Sequence, residues 1–175
     1  MAGQVRICKT WQIVMDSDSL HPFDYKKVDD FYYTFISRDG IPYNAYFIPL
    51  QEVYPELINT YSFNIEVEDS RPHPIDRRIA VTVVDILKRF FENDENAMVM
   101  VCDSSDGKQH KRRNLFDRWF AHYNDGSMDM ISASKNEGDY NLFITLYYKH
   151  TNPYKSQLKR AFNDLLSADL FEIAL

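Results

Sequence analysis

The chain contains few of the residues that stabilise small domains through covalent or metal crosslinks. Its 175 residues include 2 cysteines, 5 glycines and 5 histidines. Cys8 and Cys102 are far apart and provide neither a disulfide framework nor a cysteine-rich zinc site, and no histidine pair has metal-ligand spacing. The scarcity of glycine and the lack of a low-complexity run argue against a disordered tail. We therefore expect an ordered domain stabilised by a hydrophobic core.

Long apolar runs are also missing. No stretch approaches the ~18 apolar residues of a membrane-spanning helix, and the N-terminus lacks the apolar region of a signal peptide. We therefore expect a cytoplasmic protein without a membrane partner. The formal net charge of −6 argues against broad DNA binding, because duplex binding draws its affinity from many lysines and arginines.

Apolar and aromatic residues are plentiful, at 45% and 15% of the chain. A chain of this length can close its core as one domain. We predict a single domain over 1–175, with a core at 30–150, an N-terminal strand extension at 1–29, and a C-terminal helix and tail at 151–175.

The first half of the chain has the pattern of strands. Aromatic and β-branched residues fill 30–37 and 41–48, and the Asp-Gly turn between them predicts a hairpin. Residues 61–68 alternate between apolar and polar, which indicates a half-buried strand. Ahead of the hairpin we predict a weak strand over 5–15, followed by a polar connection through Lys26-Lys27.

The second half alternates helices and strands. Apolar residues at helical spacing predict a helix over 75–92, and a continuous apolar run predicts a central strand over 97–103. The remaining predicted elements are a helix over 108–123 with Leu115, Phe116, Trp119 and Phe120 on its inner face, strands over 127–134 and 140–148, and a final helix over 153–166.

The order of these elements resembles the GNAT acyltransferase fold over roughly 30–148. The resemblance implies an α+β fold class: a single mixed, mostly antiparallel sheet flanked by helices, in the order β-β-β-α-β-α-β-β, with an additional C-terminal helix. The Ser-Ser-Asp-Gly-Lys turn at 104–108, between a strand and a basic helix, also resembles a small bacterial family of uncharacterised cytosolic proteins. That second resemblance supplies no activity.

The GNAT resemblance implies a coenzyme A site, from which this sequence departs. GNAT enzymes hold the pyrophosphate on backbone N–H groups at a helix start that requires small residues. Arg78 stands where the first glycine belongs, and Ala80 keeps the second small position. Phe116 or Leu115 replaces the usual tyrosine and cannot donate a proton. If a cofactor is retained, the resemblance implies acetyl-coenzyme A held by Arg77, Arg78 and Ala80.

Basic residues crowd both predicted helix starts. Arg77 and Arg78 open the first helix. Five basic residues gather at the start of the second, Lys108, His110, Lys111, Arg112 and Arg113, and of these Lys108, Lys111 and Arg112 are the predicted ligands. A helix N-terminus attracts anions through its exposed N–H groups and its dipole. Because both helices follow the C-terminal ends of strands, we predict one positive cleft formed by the two starts. For the first helix, the alternative is surface salt bridging, which contributes ~0–1 kcal/mol per pair.

Glu66 and Glu68 share one face of the strand predicted at 61–68. In an enzyme, one of them would be the catalytic base that takes a proton from an amine. The alternative is a solvent-facing row on an amphipathic strand, which the regular alternation favours.

These patterns favour a non-catalytic GNAT-like binding or interaction protein that needs no cofactor. Its basic cleft would bind a small anionic ligand or a protein partner. The alternative function is that of a divergent acyl-coenzyme A-dependent N-acyltransferase. The strand over 140–148, apolar on both faces, suits either a covered interior strand or one side of a homodimer interface. The apolar tail over 168–175 suits packing on the sheet or on a second subunit.

Overall fold

The computed structural model describes residues 20–68, 76–102, 107, 109–137 and 140–167. Several features predicted above lie outside the described residues. They are the weak strand over 5–15, most of the 104–108 turn, Lys108 and the tail over 168–175.

Strands and helices follow the predicted order through the described part of the chain. The elements are β1 (Tyr25–Asp29), β2 (Tyr32–Ile36), β3 (Pro42–Pro49), β4 (Thr60–Val67), α1 (Arg77–Phe90), β5 (Ala97–Cys102), α2 (Gln109–Tyr123), β6 (Met128–Glu137), β7 (Tyr140–Lys149) and α3 (Lys155–Ser167).

The strands form one mixed sheet in the order β1-β2-β3-β4-β5-β7-β6. The β1–β2, β2–β3, β5–β7 and β6–β7 pairs are antiparallel, whereas β4 and β5 run parallel and pair residues 60–62 with 97–99. The predicted α+β class, with its mostly antiparallel sheet and its added C-terminal helix, is therefore confirmed.

The segment predicted as a polar connection forms β1. Lys26 and Lys27 give this segment the polar composition of a connection. The residue that fixes the strand is Tyr25, whose side chain hydrogen-bonds to a helix and not to a neighbouring strand. The Tyr25 hydroxyl donates to Asp85 of α1 at 2.5 Å, and the Arg89 guanidinium lies 5.2 Å from the centre of the Tyr25 ring. These contacts across about 60 residues hold β1 against its helix.

The described chain divides into two compact units. The first comprises the described residues of 1–48 and 63–90, and the second those of 49–62 and 91–175. In the first unit, α1 packs on the sheet through aromatic residues. The ring centres of Phe47 and Phe90 are 4.0 Å apart, and Phe47 also contacts Phe63 of β4.

The second unit is organised around β7, which is buried on both faces over residues 142–148. One face packs with Leu158 and Phe162 of α3 into an apolar cluster. The other face contacts α2, where the ring centres of Phe120 and Tyr147 are 5.7 Å apart. The apolar residues of β7 therefore form a covered strand between β5 and β6. Of the two readings of this segment, interior strand or exposed interface, the structure supports the first.

Replacing Leu158 with alanine should test the role of α3 in this core. Leu158 is fully buried in the apolar cluster, so Leu158→Ala should lower the free energy of unfolding by about 2–5 kcal/mol. Urea denaturation followed by circular dichroism measures the change. The control variant Asn163→Ala changes an exposed position of the same helix and should shift the value by less than about 0.5 kcal/mol.

Candidate functional site

The start of α1 is capped by an aspartate. The Asp76 carboxylate accepts the backbone N–H of Arg78 at 2.9 Å, and the Asp76 carbonyl accepts that of Ile79 at 3.2 Å. Aspartate is a favoured capping residue because it satisfies exposed helix N–H groups and complements the helix dipole. A phosphate at this position would compete with a carboxylate for the same N–H groups.

The Arg78 side chain is engaged with the segment that precedes β1. Its guanidinium donates to the carbonyl oxygens of His21 at 3.0 Å and Pro22 at 3.1 Å, and it lies 4.0 Å from the centre of the Phe23 ring. These two hydrogen bonds and the stacking contact hold residues 21–23 against the start of α1. Ala80, the second predicted pyrophosphate contact, is only 1% exposed, while Arg77 is half-buried at the first helical position.

The start of α2 carries basic side chains, and its first turn, like that of α1, contains no acidic residue. Residues 109–112 include no acidic side chain, and the predicted ligand Lys111 is exposed. Arg112, predicted as a ligand of the positive cleft, is only 8% exposed. The amphipathic pattern explains this burial, because Arg112 lies on the same helix face as Leu115, Phe116 and Trp119, which are also buried.

Phe143 of β7 positions two further basic residues of α2. The His110 ring meets the Phe143 ring edge-on with 4.9 Å between ring centres, and the Arg113 guanidinium lies 4.7 Å from the centre of the same ring. Arg113 also forms an ion pair with Asp117 at 3.7 Å, one helical turn away. The sequence analysis counted His110 and Arg113 among the basic residues of this helix start but did not include them among the predicted ligands. The four-residue spacing of Arg113 and Asp117 was a visible signal for the ion pair, but nothing in the sequence indicated Phe143.

The two predicted helix starts belong to different units, α1 to the first and α2 to the second. The single cleft that would combine Arg77, Arg78 and Ala80 with Lys111 and Arg112 therefore stays a prediction.

A tyrosine–carboxylate network lies on the sheet of the first unit. The Tyr46 hydroxyl donates to Glu66 at 2.6 Å, and the Asn44 amide donates to Glu68 at 3.0 Å. The Tyr32 ring stacks on that of Tyr46 with 5.7 Å between ring centres. Glu66 is half-buried and Glu68 is exposed. The row predicted to face solvent is thus partly covered, and neutral donors on β3 hold both carboxylates.

Burial and nearby carboxylates raise the pKa of both tyrosines in this network. For Tyr46, burial makes the largest contribution to the raised pKa, and its hydrogen bond to Glu66 adds to it. For Tyr32, burial again comes first, followed by the charges of Glu66 and Glu68. Each tyrosine therefore stays protonated, and a donor, to higher pH than an exposed tyrosine.

Phe116 and Leu115, which stand where GNAT enzymes have a tyrosine, are both buried. A hydroxyl does lie near that part of α2, on Tyr147 of β7, which sequence reasoning did not select. Burial raises the pKa of Tyr147, and the charges of Asp117 and Cys102 raise it further. Tyr147 is packed in the interior against Phe120. Cys102 is buried as a free thiol, as expected for a small core residue.

No group of three or more histidine, cysteine, aspartate or glutamate residues within the described ranges could hold a metal ion. No helix in that part of the chain is long and apolar enough to cross a membrane.

These features define an α+β protein with a seven-stranded mixed sheet, a basic helix start at α2 and a tyrosine–carboxylate network on β3 and β4. Residues 75–164, just over half of the chain, match the family of unknown function DUF6169. The chain belongs to that family.

One solved structure to which this chain has a weak similarity is that of a CoA-dependent acyl-homoserine lactone synthase, MesI. The sequence identity is 13% and the TM-score is 0.34, over 78% of this chain and 71% of the other. No curated protein is similar enough in sequence to count as a match.

The raised pKa of Tyr46 predicts a specific loss of stability at alkaline pH. Because the pKa is higher in the folded state than in the unfolded chain, the stabilisation is complete below pH ~10 and is lost as the pH rises above that value. Tyr46→Phe removes one contributor, so its free energy of unfolding should fall less steeply between about pH 9 and pH 11. Urea denaturation across this range measures the slope. Thr34→Val, a non-ionisable position on the neighbouring strand, should leave the slope unchanged.

Proposed function

We propose that this protein is a binding protein for a small anionic ligand, held at the start of α2, and that it does not transfer acyl groups. The observation that carries the proposal is the first turn of α2. This turn lacks acidic residues and presents Lys111 to solvent beside His110 and Arg113, two residues held against Phe143.

A phosphate-like anion suits this arrangement for two reasons. The N-terminal N–H groups and dipole of a helix favour negative charge, and basic side chains beside them add charge-assisted hydrogen bonds. The Phe143 ring restricts the movement of the His110 and Arg113 side chains, which reduces the entropy lost when they bind an anion. The pair between Arg113 and Asp117 leaves some guanidinium donors for a ligand, because a guanidinium carries five N–H donors.

The contacts at α1 support ligand binding at α2 in preference to α1. Asp76 already satisfies the first N–H groups of α1, and Arg78 binds the carbonyls of His21 and Pro22. A pyrophosphate cradle would require those N–H groups and an open approach to the backbone. The residues present at α1 do not fit the pyrophosphate of acetyl-coenzyme A.

A second candidate function, acyl transfer to an amine, is favoured by one observation. Glu66 is a half-buried carboxylate oriented by the Tyr46 hydroxyl, which is an arrangement suited to a general base. Against it stand Phe116 and Leu115, neither of which can protonate a departing thiolate.

Isothermal titration calorimetry with phosphate, pyrophosphate and acetyl-coenzyme A tests the first function. We expect saturable binding of at least one anion, weakened at least about tenfold when Lys111→Glu and Arg113→Glu are combined, because two attractive charges become repulsive. The control Arg160→Glu changes the same kind of charge at an exposed position of α3 and should leave affinity unchanged. No heat with any of the three anions at millimolar concentration would contradict the proposal.

A thiol-release assay separates the second function from the first. With acetyl-coenzyme A and a panel of amines, we expect no release of coenzyme A above the uncatalysed rate. Release that is lost in Glu66→Gln, but kept in Glu68→Gln, would instead identify an acyltransferase with Glu66 as its base.

A further inference from the structure

The two edges of the sheet differ in how well they are protected from pairing with another chain. β1, at one edge, has five residues, of which Lys26, Lys27 and Asp29 are charged. Its register against β2 is also interrupted between Lys27 and Asp29. Short length, charge and a bulge are the features by which natural sheets protect an edge strand. β1 is thus a protected edge.

β6, at the other edge, has a different character. Its ten residues pair one-to-one with β7 without a register shift. Residues 130–134, Met-Ile-Ser-Ala-Ser, include no charge and no proline, and Met130 is 40% exposed. Within the described ranges, β6 has a strand neighbour on one side only. A long, regular edge with an uncharged centre is a template for another strand.

The hydrogen bonds of β6 show which of its residues direct their backbone groups outward. The carbonyl of Ser127, just before the strand, accepts the N–H of His150 at 3.0 Å. The direction of the backbone N–H and C=O groups alternates from residue to residue along a strand, and Ser127 directs its carbonyl toward β7. The other odd-numbered residues, those within β6, therefore also hydrogen-bond to β7. The even-numbered residues, with Ser132 at the middle of them, therefore direct their N–H and C=O groups toward the outer side.

We propose that β6 pairs antiparallel with β6 of a second copy of this chain, about a twofold axis at Ser132. In this register Ser132 faces its own equivalent, Ile131 faces Ala133, and Asp129 faces Lys135. The Ser132 pair lies on the axis and occurs once, and each of the other two pairs occurs twice, because a twofold interface is self-complementary. Roughly ten backbone hydrogen bonds between the even-numbered residues join the two strands.

The charges of β6 select this register and this partner. Moving the axis to Ala133 places Asp129 opposite Glu137, which sets two carboxylates against each other. Moving it to Ile131 places Asp129 opposite Ala133, so the charge has no counterpart. The Ser132 register sets Asp129 opposite a lysine on both sides of the axis, and opposite charges across a strand pair are stabilising. When β6 pairs antiparallel with another β6 in this register, each Asp129 lies opposite a Lys135. β6 is therefore complementary in charge to a second copy of itself.

Sedimentation velocity of the full chain from about 1 µM to about 300 µM tests the proposal, because a dimer population depends on protomer concentration. We expect a reversible monomer–dimer equilibrium. Ser132→Pro removes an N–H that is directed outward and not toward β7, so it should give a monomer. It also removes the 3.0 Å hydrogen bond between the Ser132 and Thr145 hydroxyls, so the circular dichroism spectrum is compared with that of the wild type to check that the fold is kept. Ser132→Thr keeps that N–H and should remain a dimer. A monomeric wild-type chain throughout the range, or a dimer that survives Ser132→Pro, would overturn the proposal.

Charge reversal provides a test that does not depend on proline. Asp129→Lys alone and Lys135→Asp alone should each weaken the dimer about tenfold, since each places like charges opposite each other twice. The double variant should restore the dimer. The control reversals Arg160→Asp and Asp164→Lys lie on exposed positions of α3 and should have no effect. Equal dimerisation of both single variants and the wild type would rule out the Ser132 register.

Discussion

The burial of β7 on both faces is the constraint from which much of the second unit follows. A strand that is apolar on both sides requires a covering layer on each, because exposed apolar surface on either face costs about 25 cal/mol per Å². α3 covers one face through Leu158 and Phe162, and α2 approaches the other through Phe120. The same packing places the first turns of α2 against Phe143. The strand order places β6 beside β7 at the edge of the sheet. The candidate ligand site and the candidate dimer strand therefore both border the same buried strand.

The two helix starts show how similar sequence features acquire different roles. Both follow a strand and both carry arginines, yet only α1 has a capping aspartate among the described residues. At α1 the dipole is complemented by Asp76, and Arg78 becomes a structural residue that binds two backbone carbonyls and an aromatic ring. At α2, neighbouring basic residues lie on different faces of the helix, so that Arg112 is buried and Lys111 is exposed. Net charge near a helix end is thus a weaker guide to ligand binding than the bonds each side chain already makes.

Sequence reasoning succeeded where the pattern is periodic and local. The boundaries of α1, β5 and β7 agree with the predicted segments within about two residues, because apolar spacing records which face is buried. It failed at β1, whose lysines suggest a connection and whose anchor is a tyrosine–aspartate bond to a helix 60 residues away. The Tyr46–Glu66 bond was likewise unpredicted, although the alternation placed Glu66 on the correct face. Long-range partners depend on register, and register is not encoded in either strand alone.

By itself, the sequence determined the class of fold, the order of the elements and the faces that are buried, since these depend on composition and on the spacing of apolar residues. It also placed Asp129 and Lys135 at positions that lie opposite each other when two copies of β6 pair antiparallel about Ser132. Only the tertiary structure decided that Arg78 binds carbonyls, that Arg113 rests on Phe143, and that β6 lies at an edge. The physical reason is that each of these depends on which distant residue is a neighbour. That choice is made by the packing of the whole core and not by any local stretch of chain.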